Sequence, residues 1–395
     1  MDNKILAIVA VVIIAIVAVA AFVTLSGNGN QSTPDTPDTP SFEPVVVTDA
    51  IGNQVTVKNK VDRVALTELA HVELFATIYG EGWENHVCMM PEDISTRDAS
   101  LGAYIEKTWP VLKNVPKCPD LYASLASNPT GVAEQILNTE PDLVILPGAT
   151  MMWLTGIDSF YKLFSDSEVP VFISTFYTLG LTDSIVELNY GSLGKIFGTE
   201  DRTNEIVKMY QNSLKTVKDR LAGKSIDDTR IFYEVPYADV SNYGGVVNMG
   251  VPEVDILGYN VLKDLGVPMD NEYNLEKLVK ADPDWIFLVD TSYYGMDQLT
   301  GYFMKEDTQK AQATLQKIID ARGGWADLDA VKDGHLVLLY GEFRFTFTDL
   351  FNLYLMASII YDDVVSQKDI DDLMSGFSKY LPWKFEGFFS YQYEL

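Results

Sequence analysis

The chain opens with an unbroken apolar run, passes through a polar stretch, and then alternates short apolar blocks with longer segments of helical spacing. "VVVTDAIGNQVTV", Val45 to Val57, alternates around Gly52-Asn53 and predicts a β-hairpin. "DRVAL", Asp62 to Leu66, predicts a short strand. Between Ala70 and Tyr79 the apolar spacing becomes helical, and Gly80 is a natural stop. "DLVILP" and "VPVFIS" predict further strands separated by helix-like stretches, the pattern of an α/β unit with a largely parallel sheet. The second half repeats the scheme: "TRIFYEV", "DWIFLVD" and "HLVLLY" read as strands, with helices expected near 253–265, 309–320 and 348–362.

Between the halves lies a long helical region without strand signals. "LTDSIVELNYGSLGKIFG" breaks at Gly198, and a helix then opens with Thr199 and Asp201 as candidate caps and runs to about Leu221. Some 20 helical residues span about 30 Å, enough to reach from one unit to the next as a rigid strut. The alternative is an ordinary surface helix. With 395 residues, the chain is long enough for two folded units. The expected organisation is an anchor or signal segment at 1–25, a Thr/Pro/Asp-rich linker at 26–44, an N-terminal α/β lobe at 45–181, a helical region at 182–223 and a C-terminal α/β lobe at 224–395.

The N-terminus bears on compartment. Ile5 to Leu25 is 21 residues without a charge, long enough to cross a hydrocarbon core of about 30 Å. Lys4 is the nearby cation and weakly places the short N-terminus inside, leaving the rest on the extracellular face of the membrane. A cleaved signal peptide is the rival, with Ala18-Val19-Ala20 offering a cleavage site. Residues 26–44 bury almost nothing and read as an extended spacer, with Asn30-Gln31-Ser32 a glycosylation triplet. Cys88 and Cys118 are either a disulfide or two buried thiols.

Charge narrows the partners. With 56 acidic against 29 basic side chains, the formal charge is −27, which argues against nucleic acid. Gly-x-Ser-x-Gly and His-Glu-x-x-His motifs are missing, no phosphate loop is present, and three His leave little material for acid–base chemistry. No enzymatic activity and no resident cofactor are expected.

One motif occurs twice. "EQILNTEPDLVIL", Glu134 to Leu146, returns as "EKLVKADPDWIFL", Glu276 to Leu288, each with Glu seven residues before a Pro-Asp pair. Each Glu is expected at or near the start of a short amphipathic helix that ends before the proline. The helix dipole would favour such a Glu by about 0.3–1 kcal/mol, and that alone could account for one copy. It accounts less well for the same spacing in both halves, although duplication of an ancestral lobe would also leave it.

The order of hairpin, α/β lobe, long helix and second α/β lobe, together with these two phrases, resembles the substrate-binding proteins of ABC importers for iron chelates, haem and cobalamin. "PVVVTDAIGNQVTVKNKVDRVAL" resembles that family's opening, and "WADLDAVKDGHLVLLY" its last strand region. The resemblance spans about Pro44 to Ile360. It implies two Rossmann-like lobes with mostly parallel sheets joined by one long interlobe helix, and a monomer that delivers a metal chelate to a membrane permease; a rigid helix between the lobes leads us to expect little lobe movement on binding. It also implies that Glu134 and Glu276 dock onto arginines of the permease. A metallochelatase-like enzyme, or a surface receptor serving a sensor, are the competing classes.

Facing α/β lobes place ligands at the carboxyl ends of their strands. The residues found there are Thr67 and Glu68, Met152 and Trp153, Tyr177, Tyr237 and Tyr243, Tyr293, and Arg344. Aromatic loops with one cation suit a large chelate bearing carboxylates or hydroxamates, with Arg344 as counter-charge. His71 is a candidate axial metal ligand, but a lone His is more often structural.

Overall fold

The computed structural model describes residues 42–92, 94–148, 156–174, 181–182, 186–241, 251–265, 273, 275–292 and 295–395, without the side chains of 344 and 345. The apolar run at 5–25 and the linker up to residue 41 lie outside them, as does the glycosylation triplet at Asn30. Among the described residues no helix is long and apolar enough to cross a membrane.

The hairpin forms as expected from β1 (Val45–Thr48) and β2 (Gln54–Val57). Its turn is closed by Asp49, whose Oδ1 accepts from the backbone N–H groups of Ile51 at 3.1 Å and Asn53 at 2.8 Å, while Gly52 supplies the left-handed residue at φ 93°. The hairpin is joined to the first sheet by the Ala50 N–H, which donates to the Ile173 carbonyl.

That sheet contains β3 (Val64–Leu66), β4 (Val87–Pro91), β5 (Lys117–Cys118), β6 (Leu143–Pro147) and β7 (Val171–Ser174) in the order β5-β4-β3-β6-β7, all parallel. The second sheet contains β8 (Arg230–Glu234), β9 (Tyr259–Asn260), β10 (Trp285–Asp290) and β12 (Leu336–Tyr340), parallel to one another. Its outer edge is β14 (Ser390–Gln392), antiparallel to β12. A small ribbon pairs β11 (Gly301–Tyr302) with β13 (Gly387–Phe388). Nearly every residue of the inner strands β3, β4, β6, β8, β10 and β12 is buried, because helices cover both faces of parallel sheets.

The helices that matter here are α1 (Leu69–Tyr79), α2 (Ala99–Thr108), α3 (Pro129–Leu137), α4 (Glu200–Leu221), α5 (Leu275–Ala281), α6 (Thr308–Ala321), α7 (Asp349–Ile360) and α8 (Gln367–Tyr380). The helix expected near 253–265 is two short helices, Pro252–Leu257 and Leu262–Leu265, with β9 between them. Strand β4, helix α8 and the C-terminal strands have no counterpart in the sequence reading. β4 is rich in Met instead of β-branched residues, and the C-terminal segment follows the last region that the repeated pattern covers.

Helix α4 is the long strut, and one residue ties it to both halves. Arg202 donates from Nε to the Thr77 carbonyl of α1 at 2.7 Å and from Nη2 to the Tyr380 carbonyl of α8 at 2.7 Å. Farther along, Arg220 grips Asp369 of α8 with two bonds of 2.8 and 3.0 Å. The strut lies close to the short helix Ser192–Phe197, because a Cβ on Gly194 would meet Thr203 Oγ1 at 2.2 Å. Thr199 occupies the cap position, but its side chain makes no capping bond.

The doubled motif has the same architecture in both halves. Asp142 Oδ2 accepts from the backbone N–H groups of Asp62 and Arg63, each at 2.9 Å, and Asp284 Oδ2 accepts from that of Arg230 at 2.6 Å. Arg63 and Arg230 return the contact, donating from Nε to the Glu140 carbonyl at 2.8 Å and the Ala281 carbonyl at 2.6 Å. Glu140 and Asp282 both sit at positive φ, ending the preceding helix so that the proline can follow. The Pro-Asp pair thus clamps the central strand of each sheet to its neighbour.

A buried ion pair organises the second half. Arg322, just past α6, donates to both oxygens of Glu234 at 2.7 and 2.8 Å, and neither side chain is exposed. It also donates from Nε to the Val240 carbonyl at 2.7 Å and lies over the Trp325 ring. Replacing it with Met strands a buried carboxylate, so Arg322→Met should lower unfolding free energy by about 3–5 kcal/mol in urea titration. The double change Glu234→Met/Arg322→Met should recover a large part of that loss.

Candidate ligand cleft

The carboxyl ends of the strands lead to the seam between the two halves, and the described residues there are held by side chains that cross it. From the first half, Glu73 on α1 accepts from Thr348 Oγ1 at 2.9 Å. Asp98 caps α2 by accepting from the Leu101 N–H at 2.8 Å, and its other oxygen accepts from the Tyr340 hydroxyl at 2.6 Å. Arg97 lies 3.5 Å from Glu342, which also accepts from Thr291 Oγ1 at 2.7 Å. Tyr104 of α2 stacks on Phe303 with centroids 4.2 Å apart. Together these contacts leave a narrow pocket, its walls including Leu69, Glu73 and Leu101 on one side and Tyr302, Tyr340 and Glu342 on the other.

Several acids are buried in or near this pocket. Burial pushes Glu73 up to about 7, against which its hydroxyl partners pull weakly. Burial likewise raises Asp98 and, on α7, lifts Asp349 well above the carboxylate range. Asp290 ends β10, and its Oδ2 accepts from the N–H groups of Leu299 and Thr300 and from the Thr300 hydroxyl, at 2.6–2.7 Å. Burial still raises it to about 6, with Glu342 adding to the shift, and its Oδ1 is buried without a hydrogen bond.

The residues named from the sequence divide. Thr67 is buried and donates to the Ile145 carbonyl at 2.7 Å, so its hydroxyl stitches β3 to β6 beneath the cleft. His71 is buried too: Nδ1 is 3.2 Å from Thr67 Oγ1 and Nε2 is 2.7 Å from Ser174 Oγ. Burial drops its pKa to about 3, leaving a neutral ring that ties strand ends together. His86 bonds Tyr79 and His335 stacks on Trp285, so all three histidines have structural settings. Glu68 precedes α1, half-buried, and Tyr237 follows β8, also half-buried. Met152, Trp153, Tyr177, Tyr243 and Tyr293 lie outside the described residues, as does the side chain of Arg344, whose backbone is in the turn Glu342–Phe345.

Cys88 and Cys118 are thiols, both buried. Among the described residues no group of three or more His, Cys, Asp or Glu is arranged to hold a metal ion. Sequence reasoning missed Glu73, Asp98, Asp290 and Glu342. Glu73 did carry a signal, as the one acid inside the apolar helix "LAHVELFATIY".

Glu134 and Glu276 are both exposed. Glu276 is in the first turn of α5, as expected, whereas Glu134 lies in the second turn of α3, because Asn128 caps that helix and Pro129 begins it. Stabilisation by the helix dipole falls off within the first turn and so does not account for Glu134.

Two α/β sheets, one in each half, a helical strut and a narrow pocket near the strand ends are the frame of a binding protein. The profile of the periplasmic binding protein family matches residues 124–342, and the chain belongs to that family. Its role is substrate binding for an ABC importer. No curated protein matches the sequence. Among solved structures, a TroA-like periplasmic binding protein, FepB from Veillonella parvula, is 20% identical with a TM-score of 0.76, covering 89% of this chain and 100% of its own. MolA of Haemophilus influenzae, a molybdate periplasmic binding protein, is 17% identical with a TM-score of 0.61 over 87% of this chain and 99% of its own. CeuE of Helicobacter pylori, solved as a Ni-His complex, is 13% identical with a TM-score of 0.57 over 86% and 95%. At these identities the likeness is one of fold.

The seam acids make stability depend on pH in an unusual sense. Glu73 titrates near 7 in the fold against an ordinary 4.5, so its contribution is complete below about 4.5 and is lost as pH rises through 7. The loss amounts to at most about 3 kcal/mol. Melting temperatures measured at pH 5 and pH 8 should differ less in Glu73→Gln than in the natural protein.

Proposed function

We propose that the protein captures a metal chelate in the interlobe cleft and presents it to a membrane permease through Glu134 and Glu276. The observation that carries this reading is the doubled motif. Each Glu is exposed and lies seven residues before the proline of the same Pro-Asp clamp in its own half, although the two occupy different turns of their helices. Paired arginines on a permease would grip both together, with bidentate bonds fixing orientation. The anchor at Ile5 to Leu25 would hold the protein on the extracellular face of the membrane, where uptake begins. No catalytic step is assigned to the cleft.

Cargo class is supported by the aromatic content of the strand-end segments, which offers flat surfaces for a large chelate. A thermal-shift screen of ferric siderophores, haem, cobalamin and free metal ions should give its largest rise in melting temperature with one of the chelates. A rise confined to free metal ions would contradict the reading.

Docking is tested separately. The double reversal Glu134→Arg/Glu276→Arg should abolish uptake in cells while the purified protein keeps its ligand affinity. Lost affinity would assign the two residues to binding instead.

A further inference from the structure

We propose that residues 96–104 of the first half and residues 295–303 of the second form a releasable clasp across the seam, which parts as one unit while helix α4 stays docked and so governs entry to the pocket. The gating role rests on the reading of the cleft as the cargo site. Two clasp residues, Leu101 and Tyr302, are themselves pocket walls, one from each half.

The bonds of the clasp interlock. Asp98 accepts from the Leu101 N–H with one oxygen, and with the other it accepts from the Tyr340 hydroxyl and, at 3.4 Å, from the Tyr302 N–H. One carboxyl thus holds both the start of α2 and strand β11. The Ala99 N–H, a first-turn donor with no partner inside its own helix, is satisfied from the other half by Gln298 Oε1 at 3.2 Å. Ser292 donates to the carbonyls of Thr96 and Arg97, and Tyr104 stacks on Phe303. Gly301 permits the close approach: at its φ of 154°, a Cβ would stand 3.1 Å from Asp98 Oδ2 and 2.6 Å from Gln298 Nε2.

Two features mark the clasp as releasable. Ala99 is exposed and Ser292, Gln298, Tyr104 and Phe303 are half-buried, so water takes over most of these bonds when the clasp parts. Phe303 also has φ 59°, a left-handed conformation that costs a bulky residue and persists where neighbours hold it. The Tyr104 ring, from the other half, is such a neighbour. The strut is joined differently: Ile206, Tyr210, Leu214 and Val217 are buried along α4, and Arg202 and Arg220 tie it to α8. A joint that buries an apolar stripe opens at a higher free energy than one made of exposed hydrogen bonds. With α4 fixed, the gap opens at the clasp.

The test is hydrogen exchange of the purified full chain, read by mass spectrometry. Peptides over 98–105 and 298–304 should share one opening free energy and exchange at least tenfold faster than a peptide over 206–217 in α4. Tyr104→Ala should speed both clasp peptides by the same factor. Exchange as slow as that of α4, or a response confined to the α2 peptide, overturns the clasp. Gating is read separately on Tyr104→Cys/Phe303→Cys joined by a reducible bis-maleimide, the two natural thiols being buried. The linked protein should load a ferric trihydroxamate or haem at least tenfold more slowly than the same protein after reduction. Equal loading rates overturn the gating role and leave the clasp. Failure of the natural protein to load either chelate overturns the metal-chelate reading, while the exchange result still decides the clasp.

Discussion

The arrangement depends on carboxyl groups that are buried where the two halves meet. Glu73 and Asp98 come from the first half and find their partners, Thr348 and Tyr340, in the second. Neither has a basic side chain as its hydrogen-bond partner, so burial favours the protonated form and neutral hydroxyls supply the bonds. Such a seam is specific, because a hydroxyl misplaced by an ångström leaves a buried acid unsatisfied. It is also conditional, since parting the halves would let water in and return the acids to their ordinary ionisation.

Helix α4 complements the seam with bonds of a different kind. Arg202 spans the two halves through backbone carbonyls, which do not change charge over the physiological range. One set of contacts between the halves therefore responds to protons and the other does not. A binding protein built this way keeps its lobes together by the strut while the chemistry of the cleft floor varies.

Much of this was legible from residue pattern. Strands β3, β6, β8, β10 and β12 are apolar runs flanked by Pro, Asp or Gly, and helix α4 was visible from its amphipathic spacing after Gly198. The doubled Glu and Pro-Asp were visible too, although their partners Arg63 and Arg230 were not recognised. "DRV" and "TRI" before the matching strands carried that signal. Glu73 and Asp98 were hidden for a physical reason: each meets a hydroxyl more than 200 residues away, so no local spacing marks them. Glu134 was misplaced by a turn because an Asn-Pro cap outweighed the expectation that Glu opens a helix.

The edges of the two sheets have a bearing on life beside other copies. In the first, the outer strand β5 has two residues and β7 receives a backbone bond from the hairpin. In the second, β9 has two residues and β14 shields β12. Little unpaired backbone is left to recruit a foreign strand. Margins of this kind, short or covered, offer another chain's strand little to pair with, so the two described sheets are poorly suited to trading strands between copies.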